Sequence, residues 1–129
     1  SQAIVASVDY RKINSEAIVF TNFGQTNTGV KLLDWVIELE KLGAGEIFMN
    51  AIDRDGKASG YDTETIGQVV DASKLPVIAC GGAADEYDFV DLAKATKVSG
   101  IAAGNMFHFT ERSYPRAKQT LKKNGINVR

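Results

Sequence analysis

Pro76-Val77-Ile78-Ala79-Cys80-Gly81-Gly82-Ala83 is the stretch that decides the fold. It opens on proline, which a strand tolerates at its first residue because no ladder hydrogen bond is lost there. Four apolar or small residues follow, and two glycines end the run. A short strand without polar alternation belongs to a parallel sheet covered by helices. In such sheets the loops after the strands carry the ligand chemistry.

The same pattern repeats on both sides. Upstream, Glu46-Ile47-Phe48-Met49-Asn50-Ala51 predicts a strand, and the loop from Ile52 to Tyr61 is dense in Gly, Asp and Ser. Asp62 and Thr63 then cap a helix bearing Ile66, Val69 and Val70. Farther upstream, Ala3 to Val8 predicts a strand ended by Asp9, and Arg11 to Thr21 a small hairpin turning at Asn14-Ser15. Thr26-Asn27-Thr28-Gly29 is expected to cap a helix carrying Leu32, Leu33, Val36, Ile37, Leu39 and Leu42, with Gly43 as its stop. Downstream, a helix from about Asp85 carries Tyr87, Phe89, Val90 and Leu92. A fourth strand, Gly100-Ile101-Ala102-Ala103, ends at Gly104-Asn105, and a last helix runs from about Glu111 to Asn124, closed by Gly125. The order is βα four times within one domain, residues 1–129. An open doubly wound sheet of flavodoxin type and half of a (β/α)₈ TIM barrel both fit; periodicity does not separate them.

Composition narrows the partners. The 129 residues are 44 % hydrophobic and 24 % charged, with 15 basic against 16 acidic side chains. That balance argues against nucleic acid as the main partner. No apolar run approaches the roughly 20 residues that span a bilayer, so no membrane association is expected. No signal peptide pattern is present. Cys80 is the single cysteine, which rules out an internal disulfide and fits a reducing cytoplasm. The chain starts at Ser1 rather than methionine, which points to processing, a tag scar or truncation.

Three features carry candidate chemistry. Gly81-Gly82-Ala83 and Gly104-Asn105 each lie between a strand and a helix start, where bare backbone N–H groups can approach an anion. The alternative is a pair of tight turns with no ligand. Asp53-Arg54-Asp55-Gly56 reads either as a solvated turn or as a polar grip by Asp55 and Gly56 at the mouth of a barrel. Asp9 reads as a turn cap or as a carboxylate at a strand end, available for proton transfer. His108, the only histidine, lies between Phe107 and Phe109 and is expected to be a packing residue. Zinc is not expected. Cys80 has no adjacent base to make it a nucleophile. No complete dinucleotide or Walker motif occurs.

Together, Leu42-Gly43-Ala44-Gly45-Glu46-Ile47, Asp53-Arg54-Asp55-Gly56, Ser59-Gly60-Tyr61-Asp62 and the stretch from Pro76 to Ala83 resemble the cyclase subunit of imidazole glycerol phosphate synthase. Ala3 to Asp9, Asn27-Thr28-Gly29, Asp34-Trp35, Phe107-His108-Phe109 and Leu121-Lys122 agree. The resemblance spans the chain and matches the second half of that family's TIM barrel, strands five to eight. It implies a (βα)₄ half-barrel with a small hairpin after its first strand. The family takes ammonia from a glutamine amidotransferase partner at the bottom face and delivers it to a bisphosphate substrate at the top. It forms imidazole glycerol phosphate and an aminoimidazole carboxamide ribotide without metal or organic cofactor. Asp9 matches one of two acid–base aspartates; the other belongs to the first half. Asp55, Gly56, Gly82, Gly104 and Asn105 match a phosphate grip to which Gly81 is adjacent, and Glu46 matches a charged residue at the ammonia entrance. Cys80 stands where many members have serine, and Gly104-Asn105 where an Ala-Ser pair is usual. These departures also resemble paralogues that amidate sugars for surface polysaccharides, and a phosphate-binding module without turnover is a further alternative. Four parallel strands leave two open edges, so a homodimer or larger homo-oligomer is expected.

Overall fold

A computed structural model describes residues 4–57, 59–103 and 114–128. Ten elements occur among them, in the order β1 (Val5–Ile13), β2 (Glu16–Thr21), β3 (Thr26–Lys31), α1 (Leu32–Lys41), β4 (Glu46–Ala51), α2 (Thr63–Ala72), β5 (Val77–Cys80), α3 (Glu86–Ala95), β6 (Gly100–Ile101) and α4 (Tyr114–Lys123). One six-stranded sheet forms in the order β3-β2-β1-β4-β5-β6. β1, β4, β5 and β6 are mutually parallel, and β2 and β3 join antiparallel on the other side of β1. The fold is thus the (βα)₄ half of a TIM barrel, with its hairpin after the first strand.

Alternation places the core. Val8 and Tyr10 of β1, Ile47, Met49 and Ala51 of β4, and Val77 and Ala79 of β5 share one face and are buried. Leu32, Val36 and Leu39 of α1, Ile66 and Val69 of α2, and Phe89, Val90 and Leu92 of α3 cover that face at helical spacing. Tyr87, grouped with the apolar residues of its helix in sequence, instead faces out, 60 % exposed.

Helix ends follow local chemistry. The Asp62 side chain accepts from the Thr65 N–H, and Asp85 and Asp88 form a reciprocal capping box on α3. After α1, Gly43 sits at φ +92° while Gly43 N–H donates to Glu40 O and Ala44 N–H to Leu39 O, a Schellman closure that only a left-handed residue permits.

Three expectations are corrected. Thr26 to Gly29 do not cap α1; they open β3, paired with β2. Their side chains are committed locally: the Thr28 hydroxyl donates to Val19 O at 2.7 Å, and Asn27 Oδ1 accepts from the Gly29 N–H at 2.8 Å. Lys31 therefore stands at the N-cap of α1 without a side-chain cap bond. Nor does β1 stop at Asp9. It continues to Ile13, because the hairpin turning at Asn14 (φ +51°) and Ser15 (φ +69°) pairs Asp9–Ile13 with Glu16–Phe20. Parallel pairing with β4 covers Val5–Tyr10, so Asp9 lies where parallel pairing gives way to antiparallel. The fourth strand is also shorter than expected, at Gly100–Ile101.

Candidate functional site

The face of the sheet turned away from the helices carries Val5, Ser7 and Asp9 of β1, Glu46, Phe48 and Asn50 of β4, and Ile78 and Cys80 of β5, all partly or well exposed. Register stacks them in rows. Val5 pairs with Glu46 at the bottom; Ser7, Phe48, Ile78 and Gly100 form the next row; Asp9, Asn50 and Cys80 form the top one. Because the strands are parallel, the last row lies at the C-terminal ends of β4 and β5, beside the loops, while β1 runs on past Asp9 into its hairpin. Side chains point alternately to either face of a strand, so a carboxylate, an amide and a thiol stand side by side on this one.

The groups of that row sense one another. Burial raises the Cys80 thiol above its ordinary value, the Asp55 charge raises it further, the Gly81 backbone N–H lowers it, and Asp9 raises it. Asp9 and Asp55, far apart in sequence, thus both act on the same thiol. A raised thiol is a poor nucleophile. Asn50 is a residue that sequence reasoning passed over. Its Oδ1 is buried without a hydrogen-bond partner among the described residues, and the position a Cβ on Gly81 would take lies 2.9 Å from it. The signal was present: Asn50 is the last position of β4 on the face that Asp9 occupies in β1.

Beyond the row, Gly81 (φ +102°) and Gly82 (φ +115°) turn the chain out of β5. Both conformations suit glycine, and neither position has room for a side chain: a Cβ on Gly81 would lie 2.7 Å from Ala51 O, and one on Gly82 would collide with the Gly60 carbonyl. The Ala84 and Asp85 N–H groups are taken by Asp88 Oδ2, at 2.7 and 3.3 Å. Among the described residues, the Gly82 and Ala83 N–H groups find no acceptor. Such a pair of adjacent free donors next to a helix start is what an anionic ester requires.

The loop after β4 begins tightly, with the Arg54 and Asp55 N–H groups both on Ala51 O at 3.0 and 2.9 Å. Asp55 and Gly56 (φ +78°) are exposed at its tip. The Tyr61 hydroxyl donates to Ala102 O at 2.7 Å, tying this loop to the end of β6. Glu46 sits at the opposite end of the sheet and borders a groove along β6 that Lys97, Val98 and Gly100 also line. Gly104, Asn105 and His108 lie outside the described residues.

Parallel strands with a carboxylate and a free-donor turn at one rim define a TIM-barrel type of site. The family model described as histidine biosynthesis protein matches residues 1–113, and the chain belongs to that family. Over its full length it is 46 % identical to imidazole glycerol phosphate synthase subunit HisF of Thermotoga sp. (strain RQ2). It is 43 % identical to the protein of the same name from Natranaerobius thermophilus and 42 % to that from Sulfurisphaera tokodaii. In each case it covers 51 % of the relative, so the chain spans about half the length of the curated relatives it matches. Among the described residues, no helix is long and apolar enough to cross a membrane.

Proposed function

We propose that this chain is the second half, strands five to eight, of an imidazole glycerol phosphate synthase cyclase barrel. In that role it works with ammonia from a glutamine amidotransferase to convert a bisphosphate ribulosyl aminoimidazole substrate. The products are imidazole glycerol phosphate and the carboxamide ribotide. The observation that carries the reading is one rim: Asp9, in register with Asn50 and Cys80, lies at the end of the strands where Gly82 and Ala83 offer two free N–H donors. The donors take one phosphate of the substrate, and Asp55, Gly56, Gly104 and Asn105, which match the family's phosphate grip in sequence, are assigned to the same role. Asp9 moves the proton at the closing ring, and Glu46 stands at the far end, where ammonia enters. Asp9 and Asp55 both bring negative charge to the rim, so the phosphate is held by backbone dipoles against carboxylate repulsion. Weak affinity is expected of this half alone.

The uncovered face supports association. β6 and the Val5–Val8 part of β1 present backbone edges with no strand partner among the described residues, and Val5 is 54 % exposed. At about 25 cal/mol per Å², covering a few hundred Å² of apolar surface favours pairing by several kcal/mol. A homodimer of half-barrels, or a pair with a first half, meets that need.

Turnover tests the reading. The chain is mixed with the first half of one of its relatives, and product formation is followed with ammonium salt and the bisphosphate substrate. Activity that falls about a hundredfold or more in Asp9→Asn supports it. An assembled, inactive barrel overturns it. The Gly82 and Ala83 donors also fit a second reading, a phosphate-binding assembly module without turnover; phosphate binding in an inactive assembly would select it. Light scattering that finds a well-folded monomer would overturn the association.

A further inference from the structure

The turn that offers the free N–H groups is held by a residue outside it. Arg54 Nη1 donates to Gly60 O at 3.1 Å. The Gly60 N–H in turn donates to Gly82 O at 2.7 Å. Gly60 adopts φ +88°, which sets its two peptide planes so that one faces Arg54 and the other Gly82. The Gly82 carbonyl and the Ala83 N–H belong to the same planar trans peptide and point in opposite directions. Anchoring the carbonyl on Gly60 therefore turns the Ala83 N–H away from the loop. From the other side, Asp88 takes the Ala84 and Asp85 N–H groups. The turn is pinned at both ends, which leaves the donors of Gly82 and Ala83 without an acceptor among the described residues.

We propose that Arg54 is a positioning residue for anion binding, which through Gly60 orients the Gly82–Ala83 peptide. Arginine suits this role because its donors lie in a rigid, permanently charged plane, and a charged donor makes the stronger bond to a carbonyl. Its own backbone is fixed by the Ala51 carbonyl, so the clamp runs from the end of β4 to the end of β5. The residue touches no ligand in this scheme; it sets the direction of a dipole that does.

The inference rests on the reading of the glycine turn as an anion grip, and the experiment separates the two. Inorganic phosphate is titrated into the wild-type chain, Arg54→Met, Arg54→Lys and Val69→Ala, by calorimetry and by the amide NMR signals of Gly82 and Ala83. Arg54→Met is expected to weaken phosphate about tenfold, the equivalent of one lost charged hydrogen bond, and to shrink the phosphate-dependent shift of Ala83. Arg54→Lys keeps a donor and recovers part of the affinity. Val69→Ala removes core volume and lowers the melting temperature, but leaves the affinity unchanged. If Arg54→Met does not fold, the Arg54→Lys titration and amide exchange at Gly60 decide, with faster exchange and weaker binding expected together. Wild-type affinity in Arg54→Met, or in an Arg54→Lys chain whose Gly60 amide exchanges faster, overturns the proposal and leaves the anion grip standing. A wild-type chain that gives neither heat nor an amide shift overturns the grip and the proposal with it.

Discussion

Ile47 and Ile78 are the same residue on neighbouring parallel strands, one on each face of the sheet. Ile47 is buried under the helices; Ile78 is only partly covered. The helix-covered core is built from Val, Ile, Met, Ala and Tyr, and polar groups of β1 meet Asp62 at its border: the Tyr10 hydroxyl donates to Asp62 Oδ2 at 3.3 Å, and Lys12 Nζ lies 4.0 Å from Asp62 Oδ1. The opposite face mixes Val5, Phe48 and Ile78 with Ser7, Asp9, Glu46, Asn50 and Cys80. The first face holds this half together. The second is the face to which the proposed function assigns the substrate and another half. Stability and function are thus separated by the two-residue period of a strand.

The largest effect should come from Ile47→Ala, which opens a cavity in the covered core and costs about 3–4 kcal/mol in denaturant unfolding. Ile78→Ala should cost about 1 kcal/mol or less in a single half, and more once a partner covers that face. Equal costs would erase the distinction between the faces.

Gly82→Ala comes next. Its φ of +115° is closed to alanine, and the added Cβ meets the Gly60 carbonyl. A loss of about 2–3 kcal/mol is expected, with phosphate binding lost as well. Gly29→Ala, at φ +72° with open space around it, should cost about 1 kcal/mol.

Alkaline pH should attack the covered face. Tyr10 is held far above its ordinary value of 10.0, first by burial, then by the Asp62 charge and hydrogen bond and by Asp53, with Arg54 opposing. Tyr61 is raised as well, mainly by burial. The unfolded chain loses these protons first, so the stabilisation is complete below about pH 10 and declines as pH rises past it. Tyr10→Phe should flatten the alkaline limb of the melting temperature against pH.

The smallest effect lies on the rim. Alkylation of Cys80 should need higher pH than a free thiol, and Asp55→Asn should lower that pH more than Asp9→Asn does, following the order of their influence.

Much of this was legible in the chain because it is local. Ile47, Met49 and Ala51 fall on one face by strand alternation, and Leu32, Val36 and Leu39 by helix periodicity. Asp62 and Asp85 cap the helices that they precede, and Gly43 stops α1 through its own φ. Asp9 and the glycines after β5 stood out because each breaks an apolar run.

What tertiary structure decided depends on groups brought together from a distance. The Thr26–Gly29 segment has the residues of a cap and became an edge strand, since β2 offered it a ladder. Asp9 sits inside a strand rather than after one, because the hairpin folds back onto it. No local rule links Arg54 to Gly82 or Tyr61 to Ala102; these contacts need β4, β5 and β6 already side by side. Outside Thr26–Lys31, sequence determined which segments are strands and helices, through periodicity and backbone preference acting over a few residues. The direction in which the Gly82–Ala83 donors point was fixed only in the folded sheet, because a peptide plane is oriented by the hydrogen-bond partner that reaches it.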